Sequence, residues 1–130
     1  FGVIRTKPQT NFSERQREIA EDFEFLLKKH NPKILSIEDL FFVQNITTGL
    51  KVAQVRGLLI YLAHKFGCQI VEPKPVEIKN TFCGNGKASK QEMQKMAQMI
   101  FELESTPKMD DATDAIAAGF FATQNLDLFL

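Results

Sequence analysis

The apolar run Ile34-Leu35-Ser36-Ile37, ending in Glu38, constrains this chain more than any other segment. Asn31-Pro32 stops whatever helix precedes it, and its β-branched residues read as a short core strand. A carboxylate closing such a strand is delivered to the sheet edge, where ligand sites of α/β folds usually form. Far along the chain, Asp111 and Asp114 stand three apart in Asp110-Asp111-Ala112-Thr113-Asp114-Ala115-Ile116-Ala117. If that stretch is helical, both share one face and can meet the strand Glu. Three carboxylates so gathered are what a cation site for phosphate chemistry needs. The spacing alone fits equally well with acids capping a helix N-terminus, which the macrodipole favours.

The rest of the chain alternates helix and strand. Residues 1–6 read as a strand and 7–11, with Pro8, as a loop. Ser13 and Gln16 form a capping box for a first helix whose Ile19, Ala20, Phe23, Leu26 and Leu27 fall on one face. After the acidic strand, residues 39–48 form a loop holding Leu40, Phe41, Phe42 and Val43. A second helix is expected over 49–66, capped by Gly67. Its polar side is too narrow for a helix covering one sheet face, so it is either buried on two sides or part of a homodimer interface, with Leu58 and Leu59 central. Gly57 within it costs about 1 kcal/mol relative to Ala, which a close helix contact would explain. A strand over 69–71 and a short helix over 75–81 follow. The loop 83–88 contains Gly86-Lys87 but lacks the Ser or Thr and the spacing of a P-loop. Ser89 and Glu92 form a second capping box, opening a helix to about residue 103 with Met93, Met96, Ala97, Ile100 and Phe101 as its core stripe. Pro107 precedes a last helix over about 110–123. This order implies an α/β layer fold.

Composition narrows the function classes. With 130 residues, 44% of them hydrophobic, and twelve Phe, the chain can bury one real core but is short for two domains, so a single soluble domain is expected. Cys68 and Cys83 show neither a CxxC pattern nor a neighbouring His, which argues against a disulfide scaffold or zinc site and for a reduced, cytoplasmic setting. No signal peptide or membrane span is visible. Zero net charge excludes a protein held on nucleic acid by bulk electrostatics. Charge is nevertheless placed unevenly. Lys74, Lys79, Lys87, Lys90 and Lys95 precede the acidic cluster Glu102, Glu104, Asp110, Asp111 and Asp114, an arrangement suited to holding a polyanion near a metal.

Several segments, in order, resemble one family. Ser36-Ile37-Glu38-Asp39-Leu40-Phe41, Gly49-Leu50-Lys51, Val55-Arg56-Gly57, Val76-Glu77-Ile78-Lys79, Gly84-Asn85-Gly86-Lys87-Ala88-Ser89-Lys90 and Asp111-Ala112-Thr113-Asp114-Ala115-Ile116-Ala117 are similar to motifs of the RuvC Holliday-junction resolvases. The resemblance covers residues 5–123. It implies an RNase H-like fold, a mixed sheet flanked by helices, in a single domain over 1–130. It also implies a homodimer that nicks two like-polarity strands of a four-way DNA junction using Mg2+, two ions per complete active site, alongside a branch-migration helicase. Carried over by motif, Glu38, Asp111 and Asp114 are the catalytic and metal-binding carboxylates. Phe41 corresponds to the aromatic that stacks at the crossover, and Lys79, Lys87 and Lys90 to basic residues on the DNA. The family's first catalytic carboxylate, an Asp in a Gly-Ile-Asp-Pro-Gly-like first strand, has no counterpart here, so the chain is expected to be N-terminally incomplete and inactive by itself. The alternatives are a non-catalytic junction-binding or dimerisation module and another RNase H-like nuclease.

Overall fold

The computed structural model describes residues 1–39, 46–107 and 110–128. Within these, the elements run α1 (Phe12–His30), β1 (Ile34–Ser36), α2 (Ile46–Lys65), β2 (Gln69–Val71), α3 (Pro75–Cys83), α4 (Lys90–Ile100) and α5 (Asp110–Gln124), then a 3-10 turn (Leu126–Leu128). No helix among the described residues is long and apolar enough to cross a membrane. The chain divides into two compact units. One comprises Ile4–Leu35 and Leu40–Ile70, the other Phe1–Val3, Ser36–Asp39 and Val71–Leu130.

The first unit packs α1 on α2. The cap of α1 is Asn11, not Ser13: its Oδ1 accepts from the Glu14 backbone N–H at 2.9 Å and from the Ser13 hydroxyl at 2.8 Å. Asn caps at least as well as Ser, and here it comes first in the chain. At the other end Asn31 turns left-handed, with φ 43°, and its N–H donates to the Leu27 carbonyl. The two helices run parallel: the Lys51 ammonium lies 5.6 Å from the Phe12 ring near their starts, and Lys65 pairs with Glu24 at 3.8 Å towards their ends. Between them, Leu27, Leu62, Ala63 and Cys68 are buried, joined by Ala20, Phe23, Leu35, Leu58, Phe66 and Ile70.

The described strands form a two-stranded sheet. Gln69 N–H donates to Lys33 O at 2.8 Å, Ile37 N–H to Val71 O at 2.9 Å, and Asp39 N–H to Pro73 O at 2.9 Å. Partner numbers rise together, so the pairing is parallel, and α2 lies in the long crossover a parallel pair requires. The ladder continues past Ser36 through Asp39, which carries Glu38 out on extended backbone. Among the described residues no strand forms over residues 1–6, where one was expected, and the two strands that do form pair in parallel. A strand persists only where a neighbour satisfies its backbone groups; instead Thr6 accepts a hydrogen bond from Arg15 Nε at 2.8 Å.

The second unit packs α3, α4 and α5 together. Ile78, Phe82, Ala88, Met93, Ala97, Ala117 and Ala118 are buried at its centre. The inward face of α5 is made of small residues, Ala112, Thr113, Ala117, Ala118 and Ala122. With so little side chain between them, backbones can approach closely, and Thr113 is only 1% exposed. The Phe120 ring meets Phe82 and Phe101 edge-on, with centroids 5.4 and 6.3 Å apart. The expected capping box opens α4: Ser89 Oγ accepts from Glu92 N–H at 3.3 Å and Glu92 Oε2 from Ser89 N–H at 2.7 Å. Of the expected core stripe, Met93 and Ala97 are buried and Met96 packs against them, but Ile100 and Phe101 are exposed because the helix ends there. Gly84 closes α3 at φ 70°. Gly86 sits so close to α3 that an added Cβ would lie 2.6 Å from Val76 Cγ2 and 2.9 Å from Asn80 Oδ1.

Candidate active site

All the candidate carboxylates and lysines of the sequence fall in the second unit. The extended backbone after β1 presents Glu38, and the first turn of α5 presents Asp110, Asp111 and Asp114. Burial of one face of α5 through Ala112, Thr113 and Ala117 turns Asp111 and Asp114 outward. Helix α3 contributes Lys79, half-buried between acidic neighbours, and α4 contributes Lys90 at its first residue.

Glu38 lies within electrostatic reach of Asp114. Loss of solvation from surrounding protein, followed by repulsion from Asp114, raises Glu38 above its ordinary value, and Lys79 opposes the rise. Asp114 is raised by the same loss of solvation, then by Asp110 and Asp111, against Lys79 and Lys90. Both residues retain surface open to water, so the crowding is one-sided. Two carboxylates that resist ionising next to each other create a place where positive charge is favoured.

The donor set matches a hard divalent cation in kind, since every candidate ligand is a carboxylate oxygen. It is not a closed cage. Among the described residues, no three His, Cys, Asp or Glu side chains converge closely enough to hold an ion. Of the three expected carboxylates, Asp114 lies within electrostatic reach of Glu38, and Asp111 stands three residues before Asp114 on α5. Ser36 adds a detail: its Oγ is buried with no hydrogen-bond partner among the described residues.

Other candidates fare differently. Phe41 lies outside the described residues, as do Leu40 and Phe42. Lys87 is exposed in the loop before α4, its N–H donating to Asn85 Oδ1 at 3.0 Å. The Lys90 ammonium is tied to Asp110 Oδ2 at 2.6 Å, and Gln94 Nε2 donates to Asp110 Oδ1 at 3.2 Å. The sequence reading missed this Asp110–Gln94 link; the four-residue spacing of Lys90 and Gln94 on a helix of known start was the available signal. Leu58 packs into its own unit's core and Leu59 is half-buried. The outward side of α2 carries Ile46, Leu50, Gly57 and Tyr61 instead, with Ile46 76%, Leu50 55% and Tyr61 64% exposed. Among the described residues no atom lies within 4 Å of a Cβ built on Gly57, so no contact among them accounts for that glycine.

Comparison with known proteins resolves the family. Residues 1–121 match the profile of the family described as Crossover junction endodeoxyribonuclease RuvC. Proteins of that name from Heliobacterium modesticaldum and Natranaerobius thermophilus are 35% and 36% identical to the chain, over 97% and 95% of it and 78% and 76% of their own lengths. Among solved structures, Thermus thermophilus RuvC superposes with a TM-score of 0.86 over 98% of this chain and 76% of that one, at 24% identity. The same protein in complex with a Holliday junction substrate gives 0.90, over 98% and 77%, again at 24% identity. The architecture is thus the RNase H-like one of those structures, and the chain belongs to the RuvC family of crossover junction endodeoxyribonucleases.

Proposed function

We propose that this protein resolves four-way DNA junctions in recombination and repair, cutting phosphodiester bonds with Mg2+ held by Glu38, Asp111 and Asp114. The observation carrying this reading is the nearness of Glu38 to Asp114. Two carboxylates from separate elements, both pushed toward their neutral forms and the first within electrostatic reach of the second, belong to a chain of a junction-endonuclease family. Bound there, two magnesium ions would supply an activated water and neutralise charge on the attacking and leaving oxygens.

The chain's own groups prepare that chemistry. Glu38 and Asp114 would hold the cation as carboxylates, releasing any proton they carry to solvent, and Asp111 would complete the set from the same helix. Lys79, within electrostatic reach of both Glu38 and Asp114, balances their charge and meets a phosphate oxygen. Lys87 and Lys90 hold the backbone on the exposed side of the second unit. Phe41, three residues beyond Glu38, stacks on a base splayed open at the crossover. The protein acts as a cytoplasmic homodimer, so that two sites cut paired strands, and the apolar outward face of α2 is its twofold contact. Residues 1–130 form one nuclease domain, a reading supported by one family profile running through both compact units.

Junction cleavage by amide variants of the full-length protein tests this. Glu38→Gln, Asp111→Asn and Asp114→Asn should each abolish Mg2+-dependent nicking of a synthetic four-way junction while leaving gel-shift binding measurable. Nicking at near wild-type rate by Asp111→Asn would overturn the site.

A further inference from the structure

Asp110 stands beside the two α5 carboxylates, yet it is engaged elsewhere. One oxygen accepts from Lys90 at 2.6 Å and the other from Gln94 at 3.2 Å. Lys90 and Gln94 lie one turn apart on α4, so Asp110 clips that face of α4 to the start of α5. Both side chains of the ion pair are substantially exposed, 79% for Lys90 and 42% for Asp110, and such pairs contribute little to stability. What the contact does change is the freedom of Lys90. An ammonium on a four-carbon stem in water samples many rotamers; held at its tip, it stays where Asp111 and Asp114 both act on it. One of its three hydrogens is used by Asp110, which leaves donors for a phosphate.

We propose that Asp110 is a positioning residue, not a metal ligand: it fixes the Lys90 ammonium beside Asp111 and Asp114, so that the DNA phosphate meets a preset positive charge. This rests on the junction-nuclease reading above and adds a residue to it. Gln94 holds the second oxygen of Asp110 and keeps the carboxylate turned toward Lys90.

The test measures single-turnover cleavage of a synthetic four-way junction by the full-length protein in Mg2+, with junction affinity measured separately without metal. Asp110→Ala should lower the cleavage rate on the order of 10²-fold, the scale of loss for a misplaced group, and leave junction affinity unchanged. Lys90→Ala should lose as much, and the double variant should be no slower than Lys90→Ala alone. Asp110→Glu, which keeps the charge, should restore most of the rate. If Asp110→Ala melts below the assay temperature, Asp110→Asn carries the same comparison. A wild-type rate in the Asp110 variants, losses that multiply in the double variant, or weakened binding with normal cleavage per bound complex would each overturn the proposal. Asp111→Asn run alongside separates the two levels. If it cleaves normally the site reading fails, whereas an inactive Asp111→Asn with an unaffected Asp110→Ala removes only the role of Asp110.

Discussion

Glu38 and Asp114 hold their charges against the fold. Unfolded, each titrates at an ordinary carboxylate value; folded, each binds its proton more readily. The native state therefore carries more protons than the unfolded one from the ordinary carboxylate range up to the raised values. Stability from this source is fully present below that range and is lost as pH rises through the folded values. At neutral pH, Glu38→Gln and Asp114→Asn should melt above the wild type, and the gap should close as pH falls toward the ordinary carboxylate range. Thermal melts at two pH values check this, and lower melting for both variants at neutral pH would contradict it. Phe41 admits an equally direct separation of roles. A ring that stacks on a base contributes roughly 1 to 3 kcal/mol to DNA binding, whereas a buried Phe truncated to Ala costs about 3 to 5 kcal/mol of fold stability. Phe41→Ala should impair junction cleavage strongly and leave the melting temperature nearly unchanged; the reverse pattern would assign Phe41 to the core.

The second helix shows how one element serves two environments. Leu62 is 6% exposed against α1, and Leu50, 55% exposed, faces the other way. Leu62→Ala should cost about 2 to 5 kcal/mol in urea denaturation. Leu50→Glu should change stability by no more than about 0.5 kcal/mol yet dissociate the proposed homodimer in sedimentation velocity; an intact dimer would place the interface elsewhere. The same helix marks where sequence reading stops. Its surplus of apolar residues was legible, but a nearly all-apolar helix has no weak side to show which residues turn inward. The sequence points to Leu58 and Leu59 as the centre of a dimer interface, whereas Leu58 packs against its own unit's core. By contrast, α4 was read from its first turn because Ser89 and Glu92 are a local signal that needs no tertiary context. The strand at residues 1–6 failed for the opposite reason, since pairing depends on a neighbour that no local pattern specifies.

For the molecule as a whole, zero net charge means that, on the proposed reading, affinity for DNA rests on a few placed lysines. Each of Lys79→Ala, Lys87→Ala and Lys90→Ala should reduce the salt dependence of junction binding by about one unit of slope on a log–log plot; an unchanged slope in all three would place the DNA on another surface. The same economy governs what the sequence disclosed of the site. Glu38, Asp111 and Asp114 stand out in the sequence as candidates because a carboxylate at a strand end and two carboxylates three apart on a helix are local patterns. That Asp114 comes within electrostatic reach of Glu38 while Asp110 turns to Lys90 depends on the seating of α5 through Ala112, Thr113 and Ala117. Small residues leave no amphipathic contrast, so that depth is invisible in a pattern of polar and apolar positions.

The tight approach of Gly86 to α3 makes two positions ten residues apart interdependent. A methyl group at 86 would collide with Val76, whose own side chain is half in solvent and adds little to the core. Gly86→Ala alone should displace the Lys87 loop and weaken junction binding, while Gly86→Ala together with Val76→Ala, which leaves only the end of the exposed Asn80 side chain to swing aside, should recover much of it. A descendant of this protein is thus free to acquire a side chain at 86 only along a route that first trims 76, and the order of those two steps decides which variants are reachable.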